Sequence, residues 1–418
     1  MKGRWTVLAV AALASVSAPA QAADWLTLQS TERGREDRGV QVWGFAQILG
    51  ETILADAVTG LKGVNLAPYN GRLASFNVLA GDTTQTSFSV RRLRLGVRGA
   101  IPKTSQRVAY FVAAEYGQNA LTEASPVKLI DASVSFDVHE ALRVRVGQFK
   151  LPLADETLES NPNTADMINL SNVVLALLHE RTIHEGDVFP GGSGTRDTGV
   201  QLSGAPRFGA WELSWAAGLT NGRQGALDDN DAKDVSGRLQ LAWLLDERVL
   251  HPERDELAFY VWGLTGERDV TAAKRVRRTR AGGGVQWRWQ DRWRVRAEGV
   301  WASGALIAGQ RPPFTGSPLA VVADGDAWGA TVLAGFRPIP ALELDLGINR
   351  LHTLPDGGGD ERIAWEQTLG AQYFVRPQAK IMVNGTLRQT DAPQGSADVQ
   401  TILATQGPRL SVQVTANF

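Results

Sequence analysis

The sequence predicts an all-β fold: a transmembrane antiparallel β-barrel of about sixteen strands, with short periplasmic turns and long outer loops. Three observations predict it. Alternation of apolar and polar residues with period two recurs from Val40 to Phe418. The alternating segments run near ten residues, the length of a tilted strand crossing a bilayer. The connections between them are long and short in turn, as a barrel with one elaborated rim requires.

The chain opens with MKGRWTVLAVAALASVSAPAQA at 1–22. Lys2 and Arg4 form a basic start, Trp5 to Val16 an apolar run, and Ala20-Gln21-Ala22 an A-x-A cleavage site, which together read as a signal peptide. The apolar run is shorter than the roughly 20 residues of a membrane helix. A mature chain starting near Ala23 is thus expected to leave the cytoplasm, with 23–39 as a periplasmic N-terminal segment and 40–418 as the barrel.

Composition removes several other classes. Cysteine is absent, which excludes a disulfide framework and thiolate metal sites. Of the 43 Lys and Arg, Lys2 and Arg4 lie in the leader, leaving 41 against 44 acidic residues, or −3; nucleic acid is not an expected partner. Beyond the leader the most apolar stretch is MINLSNVVLALL at Met167–Leu178, too short for a membrane helix and broken by Asn169 and Asn172.

Strands are expected at 40–49, 88–99, 107–117, 128–138, 142–149, 196–204, 210–220 and 234–244. The second half adds 256–264, 277–289, 293–302, 326–336, 341–350, 364–374, 378–388 and 408–418. Long connections follow the first strand of each pair: 50–87, 118–127, 150–195, 221–233, 265–276, 303–325, 351–363 and 389–407. Short ones follow the second, as in HEA at 139–141, QDR at 290–292, RPIP at 337–340 and VRP at 375–377; 245–255 is the exception.

One stretch shows what the wall must be. In QWRWQDRWRVRAEGVW at 286–301, a three-residue turn at Gln290-Asp291-Arg292 sets Trp289 opposite Trp293 and Trp287 opposite Val295. The same register pairs Arg288 with Arg294 and Gln286 with Arg296. One face is then aromatic and the other cationic, which suits lipid outside and water inside, with the indoles in a periplasmic aromatic girdle. At the end of the chain, Leu410, Val412, Val414, Ala416 and Phe418 share a face opposite Arg409, Ser411, Gln413, Thr415 and Asn417. Such a strand resembles the signal read by the barrel-assembly machinery of Gram-negative outer membranes. It would also pair with the first strand to remove the open edge that lipid cannot solvate.

Applied elsewhere, the alternation turns Arg92, Arg94 and Arg98 inward, with Arg143 and Arg145 on a later strand and Arg288, Arg294 and Arg296 near the turn described above. Asp131, Ser133, Ser135 and Asp137 face the lumen, as do Glu343 and Asp345. Two readings stand together here: general polarity of a water-filled lumen, and an anion track in which guanidinium groups replace hydration. The longest connection, 150–195, carries Asp155, Glu156, Glu159, Asp166, Glu180, Glu185 and Asp187 against Lys150 and Arg181. Its apolar Val173–Leu178 would gain packing by folding into the barrel and narrowing it. An exposed lid or a subunit contact is the alternative.

These residues resemble a family. RRLRLGVRG at 91–99, LIDASVSFDV with LRVRVGQFKLPL at 142–153, HERT at 179–182, RDTGVQLSG at 196–204 and YFVRPQAKIMVNG at 373–385 are similar to the phosphate-selective porin O/P family. The resemblance implies a sixteen-stranded, homotrimeric outer-membrane porin of a Gram-negative bacterium, passing phosphate or other small anions without a cofactor. It carries over Arg91 and Arg92 as paired arginines and Lys150 in the VGQFK element. Alternation puts Arg91 on the face opposite Arg92. HERT departs from the family's serine, and DWLTLQSTERGREDRG lacks its arginine-bearing start.

An enzyme is not expected. His179-Glu180 and His184-Glu185 give H-E-x-x-x-H-E, not the H-E-x-x-H that sets two metal ligands one helical turn apart, and His139 and His251 fall in short turns. No catalytic or metal residue is assigned. A plugged or docking barrel within an envelope complex is the second functional reading, since a polar lumen suits a protein plug as well as water.

Overall fold

The computed structural model describes Trp25 and residues 40–76, 85–101, 108–119, 121–122, 125–139, 141–158, 165–179, 181–184, 187–189, 194–223, 228, 230–245, 254–271 and 274–418. The leader, Glu159, Glu180, Glu185 and His251 lie outside the described residues.

Sixteen strands form one closed antiparallel barrel, each paired with its neighbours in chain order. The first eight are β1 Gln41–Ile53, β2 Thr86–Ala100, β3 Val108–Tyr116, β4 Val127–His139, β5 Leu142–Lys150, β6 Arg196–Gly204, β7 Trp211–Thr220 and β8 Asp234–Leu244. The others are β9 Glu256–Thr271, β10 Lys274–Trp289, β11 Trp293–Ser303, β12 Asp326–Ile339, β13 Leu342–Thr353, β14 Arg362–Arg376, β15 Ala379–Asp391 and β16 Arg409–Asn417. A two-residue segment, Arg207–Phe208, continues the pairing of β7 beyond the end of β6. Every expected strand segment coincides with one of the sixteen.

Binary patterning explains the wall. Along β16, Leu410, Val412 and Val414 are exposed on the lipid side while Ser411, Gln413 and Thr415 are buried inside. The turn after β10 follows the expected register, Trp289 with Trp293 and Arg288 with Arg294. Gln290 and Asp291 make it in the left-handed region, at φ 56° and 50°. Ring pairs line the periplasmic rim: Trp211 with Trp243 at 6.0 Å, Trp287 with Trp289 at 6.1 Å and Trp293 with Phe336 at 4.2 Å. That is the girdle the alternation required.

Two expectations are corrected here. Residues 265–276 are not a long loop, because β9 and β10 extend to Thr271 and Lys274. Glu267 and Asp269 oppose Arg277 and Arg275 there, with Arg275 Nε 2.6 Å from Asp269 Oδ1. Cross-strand charge pairs stabilise a ladder standing in water, yet read as loop polarity in the sequence. Arg91 is the second correction: Gln47 pairs with Arg92 and Ile48 with Val90, so Arg91 is the extra residue of a β-bulge. The bulge cancels the alternation and turns Arg91 and Arg92 to the same side.

β16 closes on β1 from Phe45–Asn417 to Ile53–Arg409. Beyond it, Phe418 N–H donates to Gly44 O and Gly44 N–H to Phe418 O, both at 2.9 Å. A Cβ on Gly44 would sit 2.6 Å from Phe418 Cζ. Gly44→Val is therefore expected to cost about 1–3 kcal/mol through overpacking at the seam. Heat-modifiable electrophoretic mobility after refolding should show a smaller folded fraction, whereas Gly385→Ala, with nothing within 4 Å of its Cβ, should refold like wild type.

Candidate pore site

The bulge at Arg91 begins a cationic wall. β2 runs inward from the outer rim, placing Arg91, Arg92, Arg94 and Arg98 in descending order along the lumen. Arg92 and Arg94 share the Glu115 carboxylate of β3, with Nε–Oε2 distances of 3.3 and 2.8 Å. Both guanidinium carbons lie over the Phe45 ring of β1, at 5.5 and 5.3 Å. Arg98 donates to Gln41 Oε1 at 3.1 Å near the periplasmic end.

Across β3 and β4 the wall continues on β5 and β6. Arg143 pairs with Asp137, while Arg145, fully buried, donates to Ser133 Oγ at 3.0 Å and lies over Phe149. Lys150 is in register with Arg196, and Arg196 Nε donates to Asp131 Oδ2 at 3.0 Å. A bulge in β4, where Ala113 pairs with Asp131 and Ala114 with Leu129, aims Asp131 at that arginine. Arg91, Arg92, Arg94, Arg145, Lys150 and Arg196 thus stand on one side, with ion pairs to Glu115 and Asp131 among the described residues.

The opposite side is near balance. Arg294 reaches Asp166, Glu343 at 2.5 Å and Asp345 at 2.8 Å, and Arg296 reaches Asp166 at 3.2 Å. Arg288, Gln286, Arg294 and Arg296 line a small cavity with Asp166 and Met167. The expected inward arginines of β10 and β11 are therefore largely occupied by carboxylates.

The described parts of loop 150–195, Leu151–Leu158 and Ile168–Leu178, pack against the inside of the barrel wall. Ser171 caps the helix Asn172–Leu177, accepting from Val174 N–H at 3.2 Å, and its own Oγ donates to Glu156 Oε2 at 2.6 Å. Val173, Val174, Leu177 and Leu178 pack on inward residues of β9, β11, β12 and β13, including Trp262, Val300, Ala327 and Leu351. Arg238 of β8 donates to Asp155 Oδ1 at 2.5 Å and to Leu153 O at 2.7 Å. Arg280 of β10 donates to Leu177 O at 3.1 Å, at the electronegative end of the helix. Asn172 N–H donates to Glu366 Oε2 at 3.0 Å. On the cationic side the contacts are neutral: Arg91 Nη1 donates to Asn169 Oδ1 at 2.7 Å and Lys150 Nζ to Leu158 O at 2.6 Å. Among the described acids of the loop, Asp155 and Asp166 thus bind β8 and β11, and the contacts with β2 and β5 come from Asn169 and the backbone of Leu158. Arg181 is half-buried at the loop's far end.

The sequence reading passed over Arg196, Arg238 and Trp25. Arg238 follows from alternation with Gln240, but alternation from Gln201 turns Asp197 inward and puts Arg196, which opens RDTGV, on the other face, so the pattern gave no signal for it. Trp25 falls in the segment expected in the periplasm. It is buried within the barrel, its Nε1 donating to Ser214 Oγ at 2.8 Å with the Arg238 guanidinium 5.1 Å from the ring centroid. No period-two pattern surrounds it to give a signal.

Residues 70–253, which contain the whole cationic wall, match the family described as phosphate-selective porin O and P. Over those residues the chain is similar to that porin family. No curated protein sequence matches. Among solved structures, the anion-selective porin from Comamonas acidovorans is 12% identical, covering 91% of this chain and 99% of that one, with a TM-score of 0.56. Salmonella typhi OmpF, solved with daunomycin, is 10% identical over 91% and 97% of the two chains, also at 0.56. The channel DcaP of Acinetobacter baumannii is 11% identical over 93% and 100%, at 0.52. The protein is an outer-membrane porin, a channel built on the sixteen-stranded fold these structures share.

Proposed function

We propose that this porin gives passive passage to small anions, phosphate-like oxyanions among them, along the side of the lumen built by β2 to β6. The observation that carries this reading is the gathering of Arg91, Arg92, Arg94, Arg145, Lys150 and Arg196 around two paired carboxylates. Successive guanidinium groups replace an anion's hydration with charge-assisted hydrogen bonds, and the planar fork matches a phosphate edge. Arg98 and Arg143 extend the path toward the periplasm, while Arg294 and Arg296 act mainly as anchors for the loop acid Asp166, with Arg288 lining the cavity beside them. Asp155, Glu156 and Arg181 belong to the loop that forms the constriction. The name of the Comamonas acidovorans porin favours the same ion class. In this reading the chain is exported by its signal peptide, inserted through the strand ending at Phe418, and assembled as a homotrimer.

The test is a reversal potential for the refolded protein in a planar bilayer under a potassium chloride gradient, followed by phosphate. The expected result is an anion-selective potential and a chloride current that falls as phosphate occupies the arginines. A cation-selective or unselective potential overturns the anion reading. Folded protein without conductance would instead favour the plugged barrel.

A further inference from the structure

Arg350 lies on the lipid side of the wall, where a cation needs a reason to be. β13 rises from the short turn after β12 to the outer loop, with Leu344, Leu346 and Ile348 facing lipid and Glu343, Asp345, Asn349 and Leu351 buried inside. Arg350 continues the lipid-facing series and sits three residues before the outer end of the strand, Thr353. In register it opposes Ala330 on one side and Trp365 on the other, with Trp328 one step diagonal. Its guanidinium carbon is 5.1 Å from the Trp328 ring centroid and 4.7 Å from that of Trp365. Trp301, paired with Trp328, extends the belt at this height.

The guanidinium makes no hydrogen bond or ion pair among the described residues, and its buried Nε has no partner. The nearby acids are occupied: Glu361 by His352 Nε2 at 2.8 Å, Asp391 by Gln389 Nε2 at 2.9 Å, and Asp360 by Arg311. Two indole faces attract the cation, but they satisfy none of its N–H donors. A cation at a lipid boundary is costly unless an interfacial anion meets it.

We propose that Arg350, gripped between Trp328 and Trp365, is a binding site for the phosphate of an outer-leaflet glycolipid of the lipid A type. The position decides the source: the site is outside the barrel, at the rim bearing the long loops, within the indole belt that marks the headgroup level. The two rings orient the guanidinium so that its N–H edge is left for a phosphate, with the acyl chains lying along Ile348, Leu346 and Leu344. The assignment rests on the outer-membrane setting but not on anion selectivity, so it stands or falls separately from the pore.

The test uses native mass spectrometry of the detergent-solubilised full-length porin titrated with bisphosphorylated lipid A, with dephosphorylated lipid A and with phosphatidylglycerol. Wild type should retain bisphosphorylated lipid A at least about tenfold more tightly than the dephosphorylated form, the equivalent of one charge-assisted contact. Arg350→Gln should lose that difference, and Arg350→Lys should keep part of it, since a point charge cannot pair bidentately. Arg350 has no ion-pair partner among the described residues, so its replacement strands no buried carboxylate, and heat-modifiable mobility reports that the variants fold. Equal retention by Arg350→Gln, or of both lipid A forms by wild type, would overturn the site. Phosphatidylglycerol retained as tightly as lipid A would overturn the glycolipid assignment.

Discussion

Replacing Arg92, Arg145 and Arg196 together by glutamine is expected to abolish anion preference, measured as the reversal potential under a salt gradient. The six cations of the wall fall to Arg91, Arg94 and Lys150, while Glu115 and Asp131 remain. A unit charge about 7 Å from a passing ion contributes about 2 kcal/mol at the effective dielectric of a protein surface. Losing three should lower the anion-to-cation permeability ratio by at least about tenfold in dilute salt. The effect should shrink toward 1 M salt, where the screening length is about 3 Å. Stability has to be watched, because Arg196 leaves Asp131 buried without its partner, a loss of about 3–5 kcal/mol when one member of a buried pair is removed. Arg92→Gln alone avoids this: its side chain is 21% exposed and Glu115 keeps Arg94. That variant should fold as wild type and shift the potential part of the way. An unchanged potential in the folded triple variant would remove the wall from any role in selectivity.

Much of the barrel was legible because lipid and water impose opposite demands on alternate residues. The register across 286–296 follows from that rule alone, and so does the closing strand. The rule fails wherever the ladder itself is irregular. At Arg91 one extra residue reverses the face of everything beyond it, and nothing in RRLRL marks which arginine is the bulge. It fails again above the membrane, where the outer face of β9 and β10 is wet and its Glu267, Asp269, Arg275 and Arg277 look like loop, although Val270 and Val276 on the other face are buried. The site was legible as a set of inward arginines but not as an arrangement. Which arginines remain in excess depends on where Asp155 and Asp166 are delivered, and a loop's path carries no periodicity. Asp155 and Asp166 of that loop pair with Arg238, Arg294 and Arg296 rather than with the arginines of β2 to β6.

The loop's path sets the second large effect. Val173→Asp with Leu177→Asp is expected to raise single-channel conductance severalfold by driving the helix Asn172–Leu177 off the wall. Each native side chain is fully buried, which is worth about 1.5–3 kcal/mol apiece, and an unpaired carboxylate in the same place would cost several more. The tethers at Asp155 and Asp166 both precede the helix and would remain, so the loop should be displaced locally while the barrel stays closed. Steric logic offers an independent route without new charge. Gly329 of β12 makes room for the helix: a Cβ there would lie 2.6 Å from Val173 Cγ1. Gly329→Ala should therefore open the channel partway, and Gly329→Ala combined with Val173→Ala should return conductance toward wild type, because the second change restores the space the first removes. Coupling of that sign is expected only for residues in contact. If the aspartate pair folds and conducts like wild type, the helix does not limit flow, and the narrowest point lies with Trp25 and Leu158, which pack together beside β7.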